Sequence, residues 1–112
     1  MNIQIYGKSK CFDTKKAERY FKERKIKYQF IDIMKYPMSK GEYRNVKAAV
    51  GMKALIDEKS KDYEKLFIKY LAEESAVEEK LFENPGLMKT PVVRNGKKAT
   101  VGYAPEEWAQ WE

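Results

Sequence analysis

Apolar and polar residues alternate in two short segments near the start of the chain. In residues 2–6 and 26–33 every second residue is apolar, and β-branched or aromatic residues are frequent, which is typical of β-strands. Between these segments apolar residues recur three and four positions apart, a spacing that predicts an amphipathic helix. Asp13 or Thr14 is predicted to cap that helix. Strand, helix and strand in this order predict a right-handed βαβ unit with parallel strands.

The middle of the chain lacks the alternation of a strand. Ser39 and Glu42 have the spacing of a capping box, and Gly51 is placed to end the helix that they begin. Further helical patterns follow until Asn84-Pro85-Gly86 stops the last one. The predicted segments are helices over 39–49, 63–70 and 75–82, with a short helix or turn over 52–57. We therefore predict an all-helical insertion of about residues 39–86.

The end of the chain has the pattern of a β-hairpin followed by a helix. Residues 90–94 form a short apolar run, Asn95-Gly96 is a strong hairpin signal, and residues 98–102 supply the return strand. Residues 103–111 form a predicted helix with proline in its first turn, and its two tryptophans share one face, which is expected to pack on the sheet. The order of elements is thus βαβ, a helical segment, then ββα.

Composition excludes several classes of chemistry. The chain has 112 residues, enough for one compact domain, with one cysteine and no histidine. A single cysteine rules out an internal disulfide and a zinc site built from several thiolates. The lack of histidine removes Ser-His-Asp and Cys-His catalysis. Any reaction must therefore use the thiol, carboxylates, lysine, arginine or backbone dipoles, and we expect no bound metal.

The charge balance is basic, with 23 Lys and Arg against 17 Asp and Glu and a net charge of +6. This favours an anionic partner, although the charges are interleaved and a solvated lysine-rich surface is the simpler explanation. No strand interleaves aromatic and basic residues, so direct nucleic-acid binding is not expected. No apolar run approaches the length of a membrane span, and no signal peptide is apparent. We predict a cytoplasmic protein.

Cys11 is the candidate nucleophile. It lies between the first predicted strand and the first predicted helix, where unpaired backbone N–H groups and the helix dipole stabilise a thiolate. Lys8 and Lys10 add positive charge nearby. A lone cysteine is commonly an inert buried residue, and that alternative stays open. The position nevertheless predicts a thiol with a lowered pKa.

Thr14 and the pair Thr90-Pro91 are the other candidates for the site. Thr14 stands where a resolving cysteine could lie, so a disulfide on Cys11 needs an external thiol such as glutathione or another protein. Its hydroxyl can donate to the thiolate, or it can serve only as a residue of the first helical turn. An isolated Xaa-Pro bond is cis in only about 5–6% of cases, so Pro91 on its own predicts trans and an edge strand.

Several segments together resemble the arsenate reductase/Spx family, a group with the thioredoxin fold. They cover nearly the whole chain in the family's order. The segments are Tyr6-Gly7-Lys8-Ser9-Lys10-Cys11, Thr14-Lys15-Lys16-Ala17, residues 28–33, 37–42 and 55–60, Asn84-Pro85, Lys89-Thr90-Pro91-Val92-Val93 and Val101-Gly102-Tyr103. The resemblance implies a thioredoxin-like α/β fold with a four-stranded mixed sheet, helices on both faces and the helical insertion already described, in one domain over residues 1–112.

The resemblance also implies a function for the site. In that family the cysteine attacks an oxyanion or forms a mixed disulfide with glutathione, and arginines bind the anion. Lys59 and Thr90 stand here at two of those arginine positions, with Lys89 beside the second. Lysine lacks the planar fork that grips an oxyanion, which argues against arsenate reduction. Thr90 and Pro91, if the bond is cis, would form the opposite wall of the site and bind glutathione or an extended peptide.

These observations predict an ArsC-like monothiol oxidoreductase with Cys11 as nucleophile and Thr14 as its hydrogen-bond donor. Lys59, and less directly Lys8, Lys10 and Lys89, would attract a small anion, glutathione or a protein thiol. We expect a monomer with no bound cofactor and with glutathione or another thiol as co-substrate. The alternative is an Spx-like regulator that binds RNA polymerase or another acidic partner without catalysis. A third reading makes Cys11 purely structural.

Overall fold

Four strands form one mixed sheet at the centre of the protein. The computed structural model describes residues 1–112. The strands are β1 (Ile3–Gly7), β2 (Tyr28–Asp32), β3 (Val92–Asn95) and β4 (Lys98–Val101). Their order across the sheet is β2-β1-β3-β4, with β1 parallel to β2 and β3 antiparallel to both β1 and β4. The predicted four-stranded mixed sheet is confirmed.

Six helices surround the sheet, and none combines the length and apolar character needed to cross a bilayer. They are α1 (Phe12–Glu23), α2 (Lys40–Val50), α3 (Met52–Leu55), α4 (Lys61–Lys65), α5 (Glu74–Glu83) and α6 (Pro105–Gln110). The prediction of one helix over 63–70 is wrong. Phe67 has a left-handed backbone with φ of 54°, which ends regular helix after α4 and leaves a 3₁₀ turn at Ile68–Tyr70.

The helix starts are only partly those that the sequence predicts. Ser39 forms the predicted capping box of α2: its hydroxyl accepts from the Glu42 N–H at 3.2 Å, and its own N–H donates to the Glu42 carboxylate at 3.0 Å. The predicted cap of α1 is wrong, because the helix begins at Phe12 and places Asp13 and Thr14 inside its first turn. Cys11 is the N-cap residue of α1.

The two faces of the sheet carry separate apolar cores because successive side chains of a strand point to opposite faces. Ile3 and Ile5 of β1 pack with α1 and α6, whereas Tyr6 packs with the helices between β2 and β3. Trp108 of α6 is fully buried, and its indole N–H donates to the Thr100 hydroxyl at 2.7 Å. The predicted packing of α6 on the sheet is therefore confirmed.

The chain that leads into β3 is held by a short antiparallel contact. Ile56 and Met88 form an isolated β-bridge. The Asp57 N–H donates to the Leu87 carbonyl at 2.8 Å, and the Lys89 N–H donates to the Leu55 carbonyl at 2.8 Å. This contact fixes the backbone immediately before Thr90.

Candidate active site

Cys11 lies at the junction of β1 and α1. Its extended backbone, with φ of −82° and ψ of 119°, ends the turn that begins at Lys8, whose carbonyl accepts from the Cys11 N–H at 3.0 Å. The side chain is partly exposed. Its Sγ lies 3.5 Å from the Thr90 carbonyl oxygen, to which the protonated thiol donates. The single thiol therefore lies at the start of a helix, in contact with the segment before β3.

The surroundings of Cys11 favour the thiolate. Partial burial acts to raise its pKa, whereas hydrogen bonding by the Thr14 and Thr90 side chains acts to lower it. The backbone N–H groups of Thr14 and Asp13 act in the same direction. The pKa of Cys11 is consequently lowered from its ordinary value, which increases the thiolate fraction available for reaction near neutral pH.

Thr14 is buried directly behind the nucleophile. Its hydroxyl has no hydrogen-bond partner in the structure, so its proton is available to a Cys11 thiolate. A Cβ at Gly7 would overlap the Thr14 side chain. Glycine at the end of β1 therefore allows α1 to approach the strand closely at this point. The sequence does not reveal this role, because an isolated glycine after a strand also fits a simple turn.

The Thr90–Pro91 peptide bond is cis. Thr90 is buried, and its carbonyl faces Cys11. The Pro91 carbonyl accepts from the Gly102 N–H at 2.8 Å, which fastens this segment to the end of β4. The expectations of a trans bond and an edge strand from Pro91 in isolation are therefore wrong, because the bond is cis and β3 lies between β1 and β4. The cis isomer is the one on which the role that the family resemblance implies for Thr90 and Pro91 depends.

Lys8 is engaged with the backbone. Its ammonium donates to the carbonyls of Gly86 and Met88, at 2.9 and 2.8 Å. Burial lowers the pKa of Lys8, and the negative charges of Asp57 and of a Cys11 thiolate partly oppose that effect. Lys8 thus joins the end of β1 to the segment that precedes Thr90, while its positive charge acts on Cys11.

The other three candidate lysines are exposed. Lys10 belongs to the turn before Cys11, Lys89 directly precedes Thr90, and Lys59 lies in the turn before α4. None of them forms an ion pair within the protein. The structure therefore brings Cys11, Thr14, Thr90, Pro91 and Lys8 into one site, with Lys10 and Lys89 adjacent to it along the chain.

Residues 6–111 match the ArsC family. The chain belongs to the ArsC family. Among its relatives, the global transcriptional regulator Spx 2 of Oceanobacillus iheyensis is 27% identical over all of this chain and 94% of that protein. The global transcriptional regulator Spx of Listeria monocytogenes is 28% identical over 94% of this chain and 82% of that protein.

Solved structures support the same fold. The YffB (PA3664) protein superposes with a TM-score of 0.86 at 25% identity, covering 97% of both chains. An arsenate reductase from Vibrio cholerae superposes with a TM-score of 0.86 at 22% identity, covering 98% of this chain and 97% of its own. The predicted membership of the arsenate reductase/Spx family and the thioredoxin-like fold are confirmed.

In this ArsC-family chain the backbone contributes much of the site. The carbonyls of Gly86 and Met88 hold Lys8, and the Gly102 N–H holds Pro91. The sequence gives no signal for the carbonyl contacts, because any residue supplies a backbone carbonyl. Gly102 enters the sequence analysis only as part of Val101-Gly102-Tyr103, one of the segments that resemble the arsenate reductase/Spx family.

Proposed function

We propose that this ArsC-family protein is a monothiol oxidoreductase in which Cys11 exchanges disulfides with glutathione or a protein thiol. The observation that supports this most strongly is the position of the Cys11 sulfur, at the start of α1 and 3.5 Å from the Thr90 carbonyl. The lowered pKa of Cys11 adds to it, because the thiolate is the reactive form.

The reaction takes place in two exchanges. The Cys11 thiolate attacks the glutathione sulfur of a glutathionylated protein, forms a Cys11–glutathione disulfide and releases the protein thiolate. A second glutathione thiolate then attacks the glutathione sulfur of that disulfide, which yields glutathione disulfide and restores the Cys11 thiolate. No second cysteine is required, which is consistent with threonine at position 14.

Arsenate reduction is a weaker candidate for this chain. Lysine and threonine stand at residues 59 and 90, where the family resemblance places arginines. Lysine supplies a point charge and lacks the planar guanidinium with which arginine binds an oxyanion through two parallel hydrogen bonds. The Lys8 ammonium already donates to two backbone carbonyls. Thiol-disulfide exchange needs no such fork.

Intact-mass spectrometry tests the proposed exchange. The protein is incubated with a glutathionylated peptide, and reduced glutathione is then added. We expect one glutathione adduct per chain, located on Cys11, which is released by the second addition. Cys11→Ser serves as the control and should acquire no adduct. Failure of the wild-type protein to form the adduct, or an adduct that glutathione cannot release, would rule out the proposed cycle.

A second candidate is a regulatory role of the Spx kind. The observation in its favour is that relatives named global transcriptional regulators align with nearly the whole chain. In this case the protein would bind RNA polymerase, and the thiol would not be needed. Retention of purified RNA polymerase by immobilised wild-type protein and by Cys11→Ser distinguishes the candidates. Equal retention by both supports regulation, whereas no retention by either argues against it.

A further inference from the structure

Three exposed side chains form a rim beside Cys11. Phe12 directly follows Cys11 and is 73% exposed, although it is a large apolar residue. Tyr103 is 46% exposed and follows Gly102, whose N–H donates a hydrogen bond to the Pro91 carbonyl. The Lys16 ammonium lies 5.2 Å from the centre of the Phe12 ring and 5.5 Å from that of the Tyr103 ring. We call Phe12, Lys16 and Tyr103 the rim.

A basic groove continues from the rim along α1. Arg19 and Arg24 line it together with Lys16, and Tyr103 and Pro105 form its other wall. None of the three cations is in an ion pair, since the protein's ion pairs involve only Lys47 and Arg94 as cations. Glu23 is the one carboxylate among the lining residues. Arg24 donates to the Tyr20 carbonyl at 3.3 Å and stacks on the Tyr20 ring, so Lys16 and Arg19 supply the groove's free positive charge next to aromatic rings.

The length of the groove favours a peptide over glutathione alone. From residue 12 to residue 24 a helix rises about 18 Å, at about 1.5 Å per residue. An extended chain covers about 3.3–3.6 Å per residue, so a tripeptide spans about 10 Å. About five extended residues are needed to run from the rim to Arg24.

We infer that the rim and groove bind an acidic peptide segment that flanks the reactive cysteine of a partner protein. This inference rests on the proposed function, because the peptide is the carrier of the disulfide that Cys11 attacks. Carboxylates two to five residues from the partner cysteine pair with Lys16 and Arg19, and the apolar parts of the segment contact Phe12 and Tyr103. Aromatic rings and cations at the edge of a site are suited to this task.

Two matched peptides test the inference. Each carries one glutathionylated cysteine, followed at positions two to five by glutamates in one peptide and by glutamines in the other. The rate of glutathione transfer to Cys11 is measured for both, and the ratio of the rates is compared at low and high salt. We expect the acidic peptide to react about threefold to tenfold faster at low salt, with the ratio falling toward one as salt rises.

Variants locate the effect. The double variant Lys16→Gln/Arg19→Gln should bring the ratio of the two transfer rates close to one. The matched double variant Lys22→Gln/Lys27→Gln removes equal charge from a different groove and should leave that ratio unchanged. Transfer at equal rates from both peptides overturns the inference while leaving the proposed exchange intact. If both double variants lower the ratio of the two rates equally, net charge rather than the groove is responsible, and the inference is overturned as well. Absence of transfer from either peptide contradicts the proposed exchange itself and the inference with it.

Discussion

The reactivity of Cys11 is set by a few groups within reach of one sulfur atom. The Thr90 carbonyl accepts from the thiol and therefore stabilises the protonated form. The Thr14 and Thr90 hydroxyls, as donors, and the first backbone N–H groups of α1 stabilise the thiolate. Because the pKa of Cys11 is lowered, these donors together outweigh burial.

Replacing Thr14 by valine isolates the contribution of its hydroxyl. Valine has nearly the same shape, so the packing against Gly7 is kept, but the donor is lost. We expect the pKa of Cys11 to rise, as measured by thiolate absorbance during a pH titration, and the melting temperature to stay the same or increase because an unpartnered buried hydroxyl is removed. Thr100→Val is the control: it removes the partner of Trp108 and should lower stability without changing the Cys11 pKa. An unchanged pKa in Thr14→Val would mean that the hydroxyl does not act on the thiolate.

Lys8 affects both the stability and the chemistry of the site. Lys8→Met removes two hydrogen bonds to carbonyls and a positive charge that acts on Cys11. We expect a loss of about 1–2 kcal/mol in the free energy of unfolding and a rise in the pKa of Cys11. Urea denaturation and a thiol titration measure the two effects. Lys97→Met, a change of an exposed lysine in the β3–β4 turn, is the control. A Lys8→Met protein with both properties unchanged would contradict the role assigned to Lys8.

At the scale of elements, a polar cluster joins α2 to the sheet. The Tyr6 hydroxyl of β1 donates to the Glu42 carboxylate, and Arg94 of β3 donates to the Tyr6 oxygen at 3.0 Å. Burial and the contact with Glu42 raise the pKa of Tyr6 to about 12, so its hydroxyl remains a donor over the physiological range. Glu42 also completes the capping box of α2. One carboxylate therefore fixes both the start of the helix and its position on β1.

This cluster predicts a loss of stability in acid. Burial acts to raise the pKa of Glu42, but hydrogen bonds from Tyr6 and Ser39 and the charge of Arg94 lower it overall. A carboxyl whose pKa is lowered by folding stabilises the protein above its unfolded pKa, and this contribution is lost as pH falls through the folded value. Glu42→Gln should therefore be less stable than wild type by about 1 kcal/mol at pH 7, with the difference disappearing in acid. Urea midpoints measured from pH 7 to pH 3 check this, with the exposed Glu79→Gln as control. A difference that persists undiminished in acid would contradict the assignment.

Local sequence patterns predicted some elements well and others poorly. The Ser39–Glu42 capping box and the hairpin signalled by Asn95-Gly96 depend on residues close together in sequence, and both are present, with Gly96 and Lys97 between the strands. The break after α4 was missed because Phe67 has no sequence signature for a left-handed backbone. The predicted start of α1 is two or three residues too late, because Cys11 occupies the cap position without a side-chain cap hydrogen bond.

At the scale of the whole molecule, the order of elements predicts the parallel pair of β1 and β2, the hairpin of β3 and β4 and the place of Cys11 after β1, whereas the single four-stranded mixed sheet is what the family resemblance implies. Contacts between distant segments were not predictable in the same way. Lys8 meets the carbonyls of Gly86 and Met88 only because the bridge between Ile56 and Met88 brings that segment to the end of β1. The cis bond before Pro91 is not predictable from the sequence, because proline alone favours trans and the family resemblance leaves the isomer open.

The most direct test of the account is the pH dependence of Cys11 alkylation by iodoacetamide. The folded protein is compared with the same chain unfolded in urea, where Cys11 lacks the helix start, Thr14 and Lys8. We predict that the rate profile of the folded protein has its midpoint at lower pH than that of the unfolded chain, and that the folded protein reacts faster at pH 6. A folded-state midpoint equal to or above the unfolded one would contradict the claim that this fold activates its single thiol.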